Sequence, residues 1–216
     1  AGATGASGAT GANGTNGTNG TNGTNGTNAT VAITQQSVCD GSDAGTVADE
    51  LCKIGMTGPG GGLIFFVDYN DQYSGFNYLE AAPSGCEGTI KAWSSDTTHS
   101  LLAVNGWAAR AVGSGQANTT AMMADGSTSY VADTSGAAFF ADRSTCGTKT
   151  DWFLGSLGEM KLMYDNLQGV GGFSTGSYWS SSELVATFAW AQAFDSGYQN
   201  YYHKKSTYYV RPVRAF

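Results

Sequence analysis

Apolar and polar positions divide the chain into two unequal parts. Through residue 28 the only apolar side chains are alanines, and glycine recurs at every third position from Gly2 to Gly26. After Asn28 that phase stops. Val31 and Ile33 alternate with smaller residues, the period of a short strand over 29–34. Thr46 to Cys52 reads as a brief helical turn, with Thr46 and Asp49 spaced as a capping box. The run Gly58-Pro59-Gly60-Gly61-Gly62 is a turn that feeds a hydrophobic strand, Leu63 to Val67, with Tyr78 to Ala82 as its partner. Leu101, Leu102, Val104, Trp107, Ala108 and Ala111 recur close to a helical period, which predicts a helix over 101–112. A second short helix is expected over 117–124. A third follows the capping box Ser156-x-x-Glu159 and runs into Met160 to Tyr164. Strands return at Tyr178-Trp179, Thr187 to Phe194 and Thr207 to Val213. Few helices, several strands and long Gly/Ser loops predict an α+β head.

The glycine period has a specific physical meaning. Three polyproline-like strands wind around one axis only if every third residue lacks a side chain. A single strand would leave its backbone groups unpaired, so the repeat implies a homotrimer. At about 3.1 Å per residue the rod over 1–28 would span roughly 85 Å. It contains no proline, so each residue pays a larger ordering entropy and another element must hold the strands together. The competing reading is a flexible Gly/Thr/Asn linker, which has no reason to keep phase through nine triplets. The chain opens Ala1-Gly2-Ala3 already in phase, which implies further repeats upstream. Asn13, Asn16, Asn19, Asn22, Asn25 and Asn28 all begin glycosylation sequons, and so does Asn118. Within the repeat these arise automatically. The reading divides the chain into a stalk at 1–28, a neck at 29–53 and a head at 54–216.

Composition narrows the partners. Charged residues make up 12%, about half the usual share, and the net charge is −7. That balance argues against nucleic acid and anionic membranes, which attract basic surfaces. No apolar run approaches the roughly 18 residues of a membrane span. The cysteines Cys39, Cys52, Cys86 and Cys146 allow three pairings, and none forms Cys-x-x-Cys. Two disulfides are the favoured reading and four buried thiols the alternative. Pairing Cys39 with Cys52 closes a short loop after the stalk and leaves Cys86 with Cys146.

Several segments carry a family pattern. Ile54-Gly-Met-Thr-Gly-Pro-Gly-Gly-Gly-Leu-Ile-Phe, Asp151-Trp-Phe-Leu-Gly-Ser-Leu-Gly-Glu-Met, Tyr178-Trp-Ser-Ser-Ser-Glu, Ala189-Trp-Ala-Gln-Ala-Phe and Val210-Arg-Pro-Val-Arg-Ala-Phe216 stand in family order. Together they resemble the C-terminal domain of the Legionella collagen-like protein family across roughly 54–216. The resemblance implies a C-type-lectin-like head, related in shape to formylglycine-generating enzymes, and adhesion through trimeric heads that bind polyanionic or other glycans. It also implies a structural role for Arg211 and Arg214, while Trp179 and Trp190 read as core. Leu154-Gly155 departs from the family's Leu-Pro before the Ser-x-x-Glu helix.

Candidate chemistry is sparse. Gly172-Phe-Ser174-Thr-Gly176 matches a nucleophile elbow only on paper, because a glycine run precedes it and a strand follows. Formylglycine-type chemistry needs late cysteines, and none follows Cys146. We therefore read the chain as non-enzymatic and without a cofactor. Asp68-Tyr-Asn70-Asp71 offers oxygen ligands for Ca2+ without the spacing of a defined loop. The best ligand candidate is Tyr198, Tyr201, Tyr202, His203, Lys204 and Lys205, where aromatic faces lie beside cations. A solvated hairpin tip with packed tyrosines is the equal alternative. The expectation is an extracellular adhesin or receptor-binding protein, at a cell surface or on a virion fibre, whose head takes a glycan or surface ligand. The alternative is a structural filament subunit in which rods and heads contact each other.

Overall fold

The computed structural model describes residues 1–5, 8, 52–124 and 129–216. The chain divides into two units, Ala1–Ala32 and Ile33–Phe216. In the first, the described residues 1–5 and 8 are exposed and belong to no regular element. Most of the glycine repeat, the sequons at Asn13 to Asn28, the strand over 29–34, the helical turn before Cys52, and Cys39 all lie outside the described residues.

The second unit is a mixed α+β head built on two sheets. Its strands are β1 (Leu63–Val67), β2 (Tyr78–Ala81), β3 (Gly88–Lys91), β4 (Phe153–Leu154), β5 (Ser177–Val185), β6 (Phe188–Ala193), β7 (Gln199–His203), β8 (Tyr208–Val210) and β9 (Pro212–Ala215). Its helices are α1 (Gly115–Met123), α2 (Ala137–Asp142) and α3 (Leu157–Leu167). One sheet runs β1-β2-β9-β4 and the other β3-β8-β5-β6-β7. Pairing is antiparallel except between β5 and β8.

Arg211 alone separates β8 from β9, so the closing Val-Arg-Pro-Val-Arg segment is where the chain crosses between sheets. Its guanidinium holds the crossing in place. It donates to the carbonyls of Pro83 and Gly172, pairs with Glu87 at 3.4 Å and covers the Phe173 ring. Arg214 on β9 pairs with Asp151 at 2.6 Å and Glu80 at 3.6 Å. Both arginines hold elements of the head together through these contacts.

Two large cores flank the strands. One gathers Trp93, Val104, Met122, Tyr130, Leu154, Trp179 and Val210 beneath α1 and α2. The other gathers Phe65, Leu79, Phe153, Met160, Met163, Tyr178 and Phe194 beneath α3. The capping box of α3 forms as its sequence predicts: Ser156 Oγ accepts the Glu159 N–H, and the Glu159 carboxylate accepts the Ser156 N–H. Cys86 and Cys146 form a disulfide with their Cα atoms 6.2 Å apart. Cys52 is disulfide-bonded as well. The glycine turn before β1 is required by close approach. A Cβ on Gly62 would stand 1.8 Å from the Ala81 carbonyl oxygen, and one on Gly147 1.9 Å from that of Gly60.

The helix expected over 101–112 is instead two 3₁₀ turns, Leu102–Val104 and Ala108–Arg110. The Glu183 carboxylate accepts the Leu101 N–H and the Ser100 hydroxyl, and Asn105 bridges to β5. Gly106, at φ +93°, then breaks the helical path. The strands β3 and β7 and the helix α2 were not among the expected elements.

Candidate functional site

Strands β6 and β7 form a hairpin whose aromatic side chains sort by parity. Ala189 and Ala191 face inward, where only small side chains fit against the indoles of the first core. Phe188 and Trp190 face the other way and meet His203 and Tyr201 across the ladder. Ala193 accepts nothing from Tyr198 but donates its N–H to the Tyr198 carbonyl, and Lys204 likewise donates to Thr187. That phase makes Trp190 with Tyr201 and Phe188 with His203 non-hydrogen-bonded pairs, the closer kind. The rings accordingly touch. Phe188 and His203 centroids are 4.0 Å apart, Phe188 and Tyr201 5.7 Å, and Trp190 and Tyr201 5.5 Å.

The aromatic face continues onto the 3₁₀ turn. The Arg110 guanidinium lies 4.6 Å from the Trp190 ring and 5.1 Å from that of Trp107, which is 85% exposed. These residues border a cleft of about 590 Å³ floored by Leu157, Leu162 and Gln199. Burial lowers the Arg110 pKa, with no opposing carboxylate to offset it. The contrast with the other arginines is informative. Arg143, Arg211 and Arg214 all pair with acids, whereas among the described residues no carboxylate pairs with Arg110. Among the described residues the buried Nε of Arg110 and Nε1 of Trp190 lack hydrogen-bond partners, as do Nε of Arg211 and one Nη of Arg214. A cation between two indoles at the rim of an apolar cleft can stack the faces of sugar rings and bond an anionic substituent.

The residues proposed from sequence separate in three dimensions. Tyr201 and His203 lie on the outward aromatic face. Tyr198, 73% exposed, stands on the turn between β6 and β7, and Lys205 is exposed on the turn after β7. Tyr202 points inward against Trp179 and Tyr208. Lys204 is not a surface cation. It is fully buried, pairs with Glu183, donates to the His99 carbonyl and lies over the Trp93 ring. Asn118 is also buried; its Nδ2 donates to the Ala109 carbonyl at 2.7 Å and Ser181 Oγ at 3.0 Å. A sugar on that nitrogen would displace both bonds. Trp190, read as core, is half-buried, while Trp179 is fully enclosed.

Two other sequence features resolve into structural roles. Asp68 Oδ2 accepts the Tyr73 N–H at 2.7 Å and closes a turn. Ser174 sits in the loop between α3 and β5, where its N–H donates to the Tyr178 hydroxyl. Trp107, Arg110, Phe188 and Trp190 were missed from sequence. Arg110 lies some eighty residues from β6, and only the alternation of Phe188, Trp190, Tyr201 and His203 could have flagged the face. No helix among the described residues is long and apolar enough to cross a membrane. The chain matches no family model, and a comparison with curated proteins finds no match.

Proposed function

We propose that the chain is an extracellular, trimeric binding protein whose head takes a glycan on the Trp190–Tyr201 face. The observation that carries this reading is Arg110, a half-buried cation between two indoles with no acidic partner among the described residues. Leaving an arginine unpaired at a cleft is costly unless a ligand completes it. Aromatic faces supply the affinity for sugar rings, and the guanidinium selects rings that carry a carboxylate or sulfate. The glycine period supports the trimer, which would present three such faces together and raise avidity. The C-type-lectin-like resemblance belongs to the same reading.

The test is a binding titration of the chain with acidic and neutral oligosaccharides, by calorimetry. Trp190→Ala should weaken binding of an acidic oligosaccharide at least about tenfold, the scale of one lost stacking contact. Arg110→Gln should erase the preference for acidic over neutral sugars. Unchanged binding in both variants would remove the face from the argument. A second reading, the filament subunit, is favoured by one observation, the outer edge of β7, which no strand among the described residues covers.

A further inference from the structure

The two sheets have four outer edges: β1, β4, β3 and β7. Natural sheets protect such edges, because a row of free N–H and C=O groups is a template for another strand. Three are protected here. The outer side of β1 is covered by residues 55–57, with Gly55 donating to the Ile64 carbonyl and Ile64 donating to that of Met56. Strand β4 is two residues long. Strand β3 is irregular, with Ile90 at φ +41° and a register shift against β8, and it ends at Lys91.

Among the described residues, strand β7 has none of these devices. It is five residues long, Gln-Asn-Tyr-Tyr-His, pairs with β6 in unbroken register and carries no Lys, Arg, Asp, Glu or Pro. The ladder bonds from Ala193 to Tyr198 and from Lys204 to Thr187 fix which backbone groups face away from β6: those of Gln199, Tyr201 and His203. Among the described residues the three outward N–H groups have no partner. The His203 carbonyl accepts from Ser206, leaving it one lone pair.

We infer that β7 pairs with β7 of a second copy of this chain, antiparallel and centred on Tyr201. The outward groups are self-complementary about that residue. A two-fold axis there sets Tyr201 opposite Tyr201 and Gln199 opposite His203, so all three outward N–H groups meet carbonyls in one arrangement. No charge in the strand opposes it, although the chain as a whole is at −7. A peptide of other sequence would gain the backbone bonds without this symmetry. The junction lies on the sheet's edge and not on its face, so it leaves the Trp190 cleft open and sets two aromatic faces side by side. It does not depend on the glycan reading. In a trimeric protein it would join separate trimers head to head.

The experiment uses the full chain with cysteine at single positions, under mild oxidation and non-reducing electrophoresis. Opposed residues of a hydrogen-bonded antiparallel pair have Cα atoms about 5.5 Å apart, within disulfide range. Tyr201→Cys should therefore cross-link two chains, about 100-fold faster than Tyr198→Cys at micromolar concentration, because pairing makes the reaction effectively intramolecular at about millimolar. Tyr198 is more exposed but lies off the axis, so random collision favours it. Light scattering supplies the second readout. The unmodified chain should double its assembly mass as concentration rises. Tyr201→Pro, which removes an outward N–H together with the Tyr201 ring, should hold it at the lower mass, whereas Tyr201→Ala, which removes the ring alone, should still double. Equal cross-linking rates, or a mass that does not change with concentration, would overturn the inference.

Discussion

Glu159 lies at 0% exposure between the loop after Arg110 and the start of α3. Its Oε1 accepts the N–H groups of Gly113 at 2.8 Å and Gly115 at 3.2 Å, and its Oε2 that of Ser156 at 2.8 Å. No cation among the described residues pairs with it, and burial outweighs the three N–H donors, raising its pKa from 4.5 to about 7. The folded head therefore binds this proton more tightly than the unfolded chain. Stability is full below about pH 4.5 and is lost as pH rises through about 7. At 1.36 kcal/mol per unit, the full shift corresponds to about 3 kcal/mol, of which about 2.5 falls between pH 5 and pH 8. The perturbation is Glu159→Gln, which stays neutral across that range. Its amide NH2 would oppose one N–H, so the variant should be less stable than the parent at pH 5, by about 1–3 kcal/mol. The diagnostic is the slope. Urea titrations followed by tryptophan fluorescence should show the parent losing about 2.5 kcal/mol more than the variant between the two pH values. Taking the difference cancels Glu80, which burial also shifts upward and which titrates in both proteins. Equal slopes in parent and variant would refute the reasoning.

Two further outcomes concern the framework. Lys204→Met should cost about 3–5 kcal/mol, because Glu183 would keep its buried charge with only the Ser100 and Leu101 donors to hold it; a fall in urea midpoint of less than about 1 kcal/mol equivalent would show that the pair is dispensable. Cys146→Ser opens a loop whose ends are 60 residues apart, worth about 4 kcal/mol in chain entropy, and should lower the thermal midpoint, but by less than reduction does in the parent, because reduction also opens the Cys52 disulfide. A variant as stable as the oxidised parent would place the disulfide's role outside folding.

Legibility in the sequence followed the range over which a signal acts. Leu63–Val67, Tyr78–Ala81 and the α3 start were readable because strand alternation and a capping box are complete within a few residues. The helix expected over 101–112 failed because Asn105 bridges to Glu183 on β5, 78 residues on, and Gly106 at φ +93° leaves the helical path. A helical period cannot register such a competitor. Strand β3 and helix α2 carry weak local patterns and are held from outside. Asp133 accepts the Gly136 and Phe139 N–H groups at the start of α2, and β3 lies against β8. The candidate ligand residues named from sequence fall on one hairpin, whose two faces the sequence could not sort. Tyr201 and His203 turn outward while Tyr202 and Lys204 turn inward, so half of a contiguous aromatic and basic cluster was never on one surface.

The scarcity of charge makes the pairing pattern itself informative. With 12% charged residues, this head places several of its acids in enclosed contacts: Glu183 on Lys204, Glu87 on Arg211, Glu80 on Arg214, and Glu159 on three backbone donors. Each arrangement has a geometric reason, closing a hairpin, a sheet crossing or a helix start. Arg110 breaks that rule. It is half-buried, its pKa is lowered by burial alone, and its neighbours are indoles. If its role were packing, a methionine of similar length would fill the space between Trp107 and Trp190 without the desolvation cost. The anionic substituent of the proposed glycan would complete the guanidinium, which no acid among the described residues does. The same reasoning separates this cleft from the one beside the disulfide, where Lys91 and Arg143 also lie over phenylalanine rings. Arg143 there has Asp142 at 3.4 Å and Lys91 lies over a single phenylalanine ring, so what separates the two clefts is the pair of indoles that flanks Arg110.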